Sequence, residues 1–271
     1  MKYPLSPEEL KIPYAKYFDS LPVDGPTEEE RAMLAQPLPM EEILPIEQAK
    51  NFVLSNGAFV GAGNGWRILP DGRSYTANCM VLPGLTVELC QWWFQWLNHP
   101  PKSVPRKYGN LRYKIWCPPD HWDHGFRTAG DPTSGSRICE SFDLGAGDEP
   151  KVLLGSGGDP AALGITEEML AAARREGRFP GVGCGFDAEE NPTTVGVNQF
   201  RDVPGGCEWS SRTWGGYTIR AGELIKLEKF RPGDPTAARN EMLHNLAEGR
   251  HLAKLLPLIY AEYRDKPFDE D

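Results

Sequence analysis

Near the end of the chain, His244 and Glu248 stand four residues apart in His244-Asn-Leu-Ala-Glu248. On a helix that spacing puts both side chains on one face, one turn apart, where an imidazole nitrogen and a carboxylate oxygen can share one divalent ion. The same spacing also makes ordinary hydrogen bonds on wet helix faces, so the pair alone is weak. A second segment strengthens it: Asp120-His121-Trp122-Asp123-His124, which together with His244 holds three of the five histidines. Zinc accepts neutral imidazole and carboxylate where thiolates do not converge, and a catalytic zinc keeps one position for water. Two histidines with one or two carboxylates suffice for such a site. His124 is also a candidate acid or base, because an imidazole titrates near neutrality.

The elements that must position these groups can be read from pattern. Asp234-Pro235-Thr236 has helix-start chemistry, and the apolar spacing through Met242, Leu246 and Leu252 predicts the longest helix of the chain, with a kink or restart at Pro257. Leu111 to Trp116 alternates as a strand that Cys117-Pro118-Pro119-Asp120 must break, which leaves His121 just beyond a strand end. Ser136 to Leu144 and Val195 to Val203 read as strands, and Glu208 to Leu227 as a strand pair around Gly215-Gly216. From Phe52 to Val87, short apolar stretches such as Phe59-Val60 and Ser74 to Leu82 alternate with Gly-Asn-Gly and Pro-Asp-Gly turns, a β-rich signature. Helical spacing predicts helices over Leu85 to Leu97, whose tryptophans are expected in the core, and over Ile165 to Gly177 with Thr166 as N-cap. Residues 1–50 are rich in Pro and Glu and read as an extended arm with short helices. One of these runs from Thr27 to Gln36, where Thr27 and Glu30 have capping-box spacing. The expected division is therefore an arm over 1–50 and a catalytic domain over 51–271.

Composition bounds the function. A chain of 271 residues can bury a self-sufficient core, so a metal is not needed merely to fold it. The formal charge of -9, without a Lys/Arg cluster, excludes a phosphate-backbone partner on electrostatic grounds. No run approaches the roughly 20 apolar residues of a membrane span, and MKYPLSPEEL lacks a signal-peptide core, so a cytoplasmic protein is expected. The six cysteines include no C-x2-C pair and read as buried thiols.

From about Trp92 to Tyr260 the chain resembles the zinc-dependent 2,4-diacetylphloroglucinol hydrolases and phloretin hydrolases. The resemblance lies in Trp92-Trp93-Phe94-x-Trp96, in Arg112-Tyr113-Lys114-Ile115-Trp116-x-Pro118-x-Asp120-His121, and in Ile138-x-Glu140. It continues through Arg201-Asp202-x-x-Gly205-Gly206-x-Glu208, Ser211-Arg212-x-Trp214, His244-x-x-x-Glu248 and Leu256-Pro257-x-x-Tyr260. It implies one zinc held by His121, Glu140, His244 and Glu248. It also implies an α+β helix-grip, START-like fold, a curved antiparallel sheet around a long C-terminal helix. Glu149 is the alternative to Glu140, although it stands in the loop-like Gly-Ala-Gly-Asp-Glu-Pro. Tyr113 corresponds to a tyrosine that binds a substrate hydroxyl or moves protons. Three positions depart from the pattern: His124 replaces an asparagine, Asn198 stands near a family histidine and Thr213 near an aromatic residue. His124 is then the candidate to take over proton transfer where Asn198 cannot. Arg201, Arg212 and the Gly205-Gly206 turn read as framework.

The implied reaction is hydrolysis of the carbon-carbon bond between an acyl group and a phenolic ring. Ortho hydroxyls let the ring tautomerise, so the acyl group becomes part of a β-diketone whose oxygens a zinc ion can polarise. The competing readings are a zinc lyase or cyclase acting on a polyketide-like substrate and a non-catalytic helix-grip carrier of small molecules. The arm predicts a homodimer or higher assembly.

Overall fold

The computed structural model describes residues 4–55, 63–99 and 109–268; Phe59-Val60 and the last three residues of the acidic tail lie outside them. Its centre is one antiparallel sheet of eight strands: β1 (Gly65–Ile68), β2 (Ser74–Pro83), β3 (His121–Phe126), β4 (Ser136–Glu140), β5 (Lys151–Gly157), β6 (Arg178–Phe186), β7 (Pro192–Val203) and β8 (Gly206–Gly215). The spatial order is β1-β2-β8-β7-β6-β5-β4-β3. Among the described residues β2 to β8 is the one pairing between strands not consecutive in the chain, with Tyr75 opposite Trp214; the others pair consecutive strands, β5 and β6 across a connection that carries a helix at Glu167–Arg175. The chain is therefore α+β.

Strand alternation sends two sets of side chains to opposite faces. Tyr75, Ala77, Val195, Val197 and Trp214 meet the short helices α2 (Ala49–Leu54) and α5 (Glu167–Arg175) with Leu44, Ile46 and Leu163. Met80, Leu82, Phe200 and Trp209 face the other way, into a larger core. That core is closed by α3 (Val87–Asn98), α4 (Leu111–Trp116) and α6 (Pro235–Tyr263). Each fully buried Leu, Val or Phe contributes about 1.5–3 kcal/mol, so two apolar faces hold the sheet between layers. Trp93 and Trp96 are buried in this core as expected, and Tyr14 from the N-terminal segment packs edge-on against Trp96 at 5.3 Å and Tyr263 at 6.0 Å.

The helix starts follow their caps. Asp234 accepts from the Ala237 N–H at the head of α6, and Thr166 from Met169. Thr27 and Glu30 form the reciprocal capping box of α1 (Glu28–Met33), which is shorter than the predicted Thr27 to Gln36. All six cysteines are free thiols, four buried and two half-buried. Among the described residues no helix is long and apolar enough to cross a membrane.

Several local expectations are corrected. Leu111–Trp116 is a helix, not a strand. Its polar residues are buried and paired: Arg112 donates to the carbonyls of Trp96 and His99, and Lys114 to Glu9. With all six residues buried, no amphipathic period is left to read. His121 accordingly opens β3 rather than following a strand. Glu208 to Leu227 is not one pair around Gly215-Gly216: β8 stays in the large sheet, and the hairpin forms afterwards between β9 (Tyr217–Arg220) and β10 (Glu223–Lys226). Its turn is at Ala221-Gly222, where both residues have positive φ. Phe52, read with the β-rich segment, lies in α2. Pro257 sits inside an unbroken α6 of 29 residues, about 44 Å long.

Candidate metal centre and adjoining cavities

Three elements converge on one buried cluster. After α4 the chain turns within hydrogen-bond reach of itself, with Asp120 N–H and His121 N–H both donating to the Cys117 carbonyl, and His121 begins β3. Glu140 closes β4 directly opposite His121 in the ladder, beside a register shift between His121 and Asp123. From the other side α6 supplies His244 and Glu248. Trp116 ties the helices together, its indole N–H donating to the Glu248 carbonyl while its own carbonyl lies 2.6 Å from His251 Nδ1. Gly249 lets α6 lie close to β2, since a Cβ there would overlap the Met80 sulfur. Framework of the expected kind lies further along the sheet, where Arg201 forms a two-pronged ion pair with its ladder partner Glu208.

His121 Nδ1 lies 3.1 Å from the Tyr113 carbonyl. A carbonyl can only accept, so the proton is on Nδ1 and the Nε2 lone pair points into the cluster. There it stands 3.2 Å from Glu248 Oε2 and 3.6 Å from Glu140 Oε2. This nitrogen is buried and has no hydrogen-bond partner. His244 is oriented the same way: Nδ1 lies 2.6 Å from Asp120 Oδ2, leaving Nε2 3.7 Å from Glu248 Oε2. Asp120 is fixed in turn by the Ser141 hydroxyl and the Leu144 and Gly145 N–H groups, each at 3.1 Å. Glu140 accepts a short hydrogen bond from the Tyr113 hydroxyl. The Tyr113 ring stacks on His121.

The cluster carries an excess of buried negative charge. Burial alone would lower the His244 pKa, but the charge of Glu248, the hydrogen bond that His244 donates to Asp120 and the charge of Glu140 raise it to about 9. Burial raises Glu248 to about 7 against the pull of His244. Asp120 resists its own burial because His244 holds it below the usual carboxylate range. His121 is pushed down to about 3 by burial and stays neutral, and burial with Glu140 and Glu248 keeps the Tyr113 phenol protonated.

Ligand atoms of His121, His244 and Glu248 all lie within 4.8 Å of one another. Glu140 lies outside this trio, its Oε2 3.6 Å from His121 Nε2. Glu149 lies elsewhere, lining a surface depression with Asp148 and Arg231. Cys117, Asp120 and His244 form an overlapping group. The donor set suits zinc: two imidazole nitrogens with the proton on the far atom, carboxylates beside them, and a lone pair on His121 that nothing else uses.

His124 and Asn198 are not in the cluster. They line a cavity of about 450 Å³ with Thr213, and the His124 ring is 5.3 Å from that of Tyr113. A second cavity of about 460 Å³ lies between the sheet and α6, reached by Glu140. Glu241 and Asn245 of α6 line it too. Burial and the charge of Glu140 raise Glu241 to about 7, with His244 opposing. The sequence reading missed Glu241, although Glu241-x-x-His244-x-x-x-Glu248 has the spacing of one helix face. It also left Asp120 without a role, which adjacency to His121 could not reveal because its partner is 124 residues away.

The chain is similar to known proteins over most of its length. A 2,4-diacetylphloroglucinol hydrolase of Pseudomonas sp is 29% identical over 272 residues, covering 93% of this chain and 88% of the relative. Phloretin hydrolase of Eubacterium ramulus is 27% identical over 270 residues, covering 95% and 93%. Among solved structures, Protein Ms6760 from Mycobacterium smegmatis aligns with 73% of this chain and 98% of its own at 13% identity, with a TM-score of 0.33 that is too low to assign a fold. Residues 48–261, most of the chain, match the DAPG hydrolase PhiG domain. The chain belongs to the DAPG hydrolase PhiG domain family.

Proposed function

We propose that this chain is a zinc-dependent hydrolase that cleaves the carbon-carbon bond between an acyl group and a polyhydroxylated ring, releasing a carboxylic acid. The observation that carries the reading is the convergence of His121, His244 and Glu248, with Glu140 beside them, around a buried lone pair on His121 Nε2. The names of the relatives, hydrolases of 2,4-diacetylphloroglucinol and of phloretin, support the substrate class. The fold is read as a helix grip, with α6 as the gripped helix packed on β1 and β2.

His121, Glu140, His244 and Glu248 are proposed to hold the zinc, which when bound supplies a Lewis acid for the acyl oxygen and for water. The chain's own groups do the rest. The Tyr113 carbonyl and Asp120 hold the two imidazoles in the tautomer that presents Nε2. Cleavage needs a proton on the ring carbon and the hydroxyl of water on the acyl carbon, while the electron pair of the broken bond stays with the ring. Tyr113 holds a proton at its hydroxyl, aimed at Glu140, and is proposed to deliver it to the ring. His124 and Asn198 are proposed to bind ring hydroxyls from the adjoining cavity, His124 moving a proton there.

The test is elemental analysis of the purified protein with turnover of 2,4,6-trihydroxyphenyl ketones in oxygen-18 water. About one zinc per chain, lost in His244→Ala and Glu248→Ala, with label in the released acid, is expected. Cleavage without label points to a lyase instead. Absence of bound zinc, with none taken up on addition, overturns the metal site.

A further inference from the structure

His244 has two ring nitrogens, and a set of donors gathers at each. Nε2 faces Glu248 within the trio of His121, His244 and Glu248. Nδ1 lies 2.6 Å from Asp120 Oδ2, and there Cys117 completes a second trio. One donor atom from each of Cys117, Asp120 and His244 lies within 4.8 Å of the other two, and all three residues are buried. An Asp–His pair sharing a proton is the ordinary support of a metal-bound imidazole. That support does not require a buried sulfur beside the pair. The sulfur adds a third donor, and a soft one.

The local chain path brings the sulfur there. Cys117 directly follows α4, and Pro118-Pro119 turn the chain so that the Asp120 and His121 N–H groups return to the Cys117 carbonyl. Cys117 and Asp120 thereby stand on one turn beside His244 of α6. Burial, with the charges of Glu248 and Asp120, keeps the Cys117 thiol protonated in the ion-free protein, although the Asp120 N–H favours a thiolate. A divalent ion reverses that balance, because a coordinating thiol loses its proton outright. Donor atoms this close need shifts of about 1 Å or less to reach the roughly 2.0–2.3 Å of metal–nitrogen, metal–oxygen and metal–sulfur bonds. An entry route lies alongside. A depression of about 130 Å³ is lined by Ser141 and Gly145, which both donate to Asp120, and by Asp143, Asp148 and Glu149. Carboxylates at such a mouth raise the local concentration of cations.

We propose that Cys117 Sγ, Asp120 Oδ2 and His244 Nδ1 form a second metal position, back to back with the zinc site, that takes a soft, thiophilic divalent cation of the cadmium type. The thiol proton and the Nδ1 proton leave to water, and bonds from Sγ, Oδ2 and Nδ1 to the ion replace them. The His244 imidazole then lies between two ions. The proposal takes from the hydrolase reading only the zinc on Nε2; the trio at Nδ1 stands apart from it. An ion there replaces the hydrogen bond that fixes His244, so soft-metal exposure reaches the zinc site through one ring.

The experiment titrates zinc-loaded protein with Cd²⁺. It follows sulfur-to-cadmium charge-transfer absorption, metal content after gel filtration, and proton NMR of protein labelled with nitrogen-15 histidine. About one cadmium per chain is expected beside the retained zinc, with a charge-transfer band and loss of the His244 Nδ1–H resonance. Cys117→Ser and Cys117→Ala should keep the zinc, lose the band and hold that resonance when cadmium is added. Glu248→Ala should lose zinc yet keep the Cys117-dependent cadmium. Thermal unfolding reports whether the variants fold, and the wild-type histidine resonance decides the question without them. An undiminished band in folded Cys117→Ser places the cadmium on other thiols and overturns the proposal. So does an Nδ1–H signal that persists in cadmium-saturated wild type, or cadmium that merely replaces zinc without a band. Protein that holds no zinc but takes Cys117-dependent cadmium would overturn the four-ligand zinc site and leave this position standing.

Discussion

The Tyr113 ring lies flat against the imidazole of His121, with centroids 3.8 Å apart and planes 3° from parallel, while its hydroxyl donates to Glu140, whose Oε2 lies 3.6 Å from His121 Nε2. One residue thus packs against a proposed ligand and donates a proton to another. Its backbone carbonyl also sets the tautomer of the ring it covers.

That double duty separates by substitution. Tyr113→Phe keeps the ring stack and the carbonyl but removes the hydroxyl. It is expected to retain zinc by elemental analysis and to lose about 10²–10⁴-fold in kcat, the usual range for an acid-base group. Loss of zinc in this variant would instead make Tyr113 a structural support for Glu140.

Asp120 touches His244, not the proposed zinc ion. Asp120→Asn is isosteric, but it weakens the hold on the Nδ1 proton and removes a charge. Zinc affinity should fall about 10–100-fold by competition with a chromophoric chelator. An unchanged affinity would remove Asp120 from the site.

The response to pH has a definite sign. In the zinc-free protein His244 is raised from 6.5 to about 9 and Glu248 from 4.5 to about 7. A group whose folded pKa is raised stabilises the fold fully below its unfolded pKa, and that contribution is lost as pH rises through the folded value. Zinc-free protein should therefore lose stability between about pH 5 and 9. Zinc needs these same ligands deprotonated, so its stabilisation should grow over the same range. Thermal unfolding at pH 6, 7.5 and 9, with and without zinc, checks this; a zinc-induced rise in Tm that shrinks with pH contradicts it.

Glu9 and Lys114 form a fully buried pair at 2.7 Å, joining the N-terminal segment to the helix that carries Tyr113. Glu9→Ala leaves the Lys114 ammonium buried without its carboxylate. The expected cost is about 3–5 kcal/mol in urea unfolding. Glu9→Leu with Lys114→Met should recover most of it, because an apolar pair of similar volume needs no desolvation of charge. Failure of the double variant to recover would place the loss in packing instead.

What could be read early was what local spacing controls. His244 and Glu248 share a face because four residues make one turn, and Asp234, Thr166 and Thr27 cap helices because their oxygens reach N–H groups three residues on. The same locality misled at Leu111–Trp116. Burial of Arg112 and Lys114 depends on Trp96, His99 and Glu9, none of which a six-residue window contains.

By itself, then, the sequence determined the composition of the site, its helical pair and, through motif order, its family. Only tertiary structure decided which carboxylate meets His244, that Glu140 rather than Glu149 reaches the cluster, and that Glu241 faces a cavity. It also decided that His124 and Asn198, 74 residues apart, line one cavity. The reason is physical. Spacing along a chain fixes neighbours within a turn or a strand, whereas ladder register and helix docking fix neighbours more than a hundred residues apart, and a one-residue slip in register would turn the cavity-lining side chains to the other face.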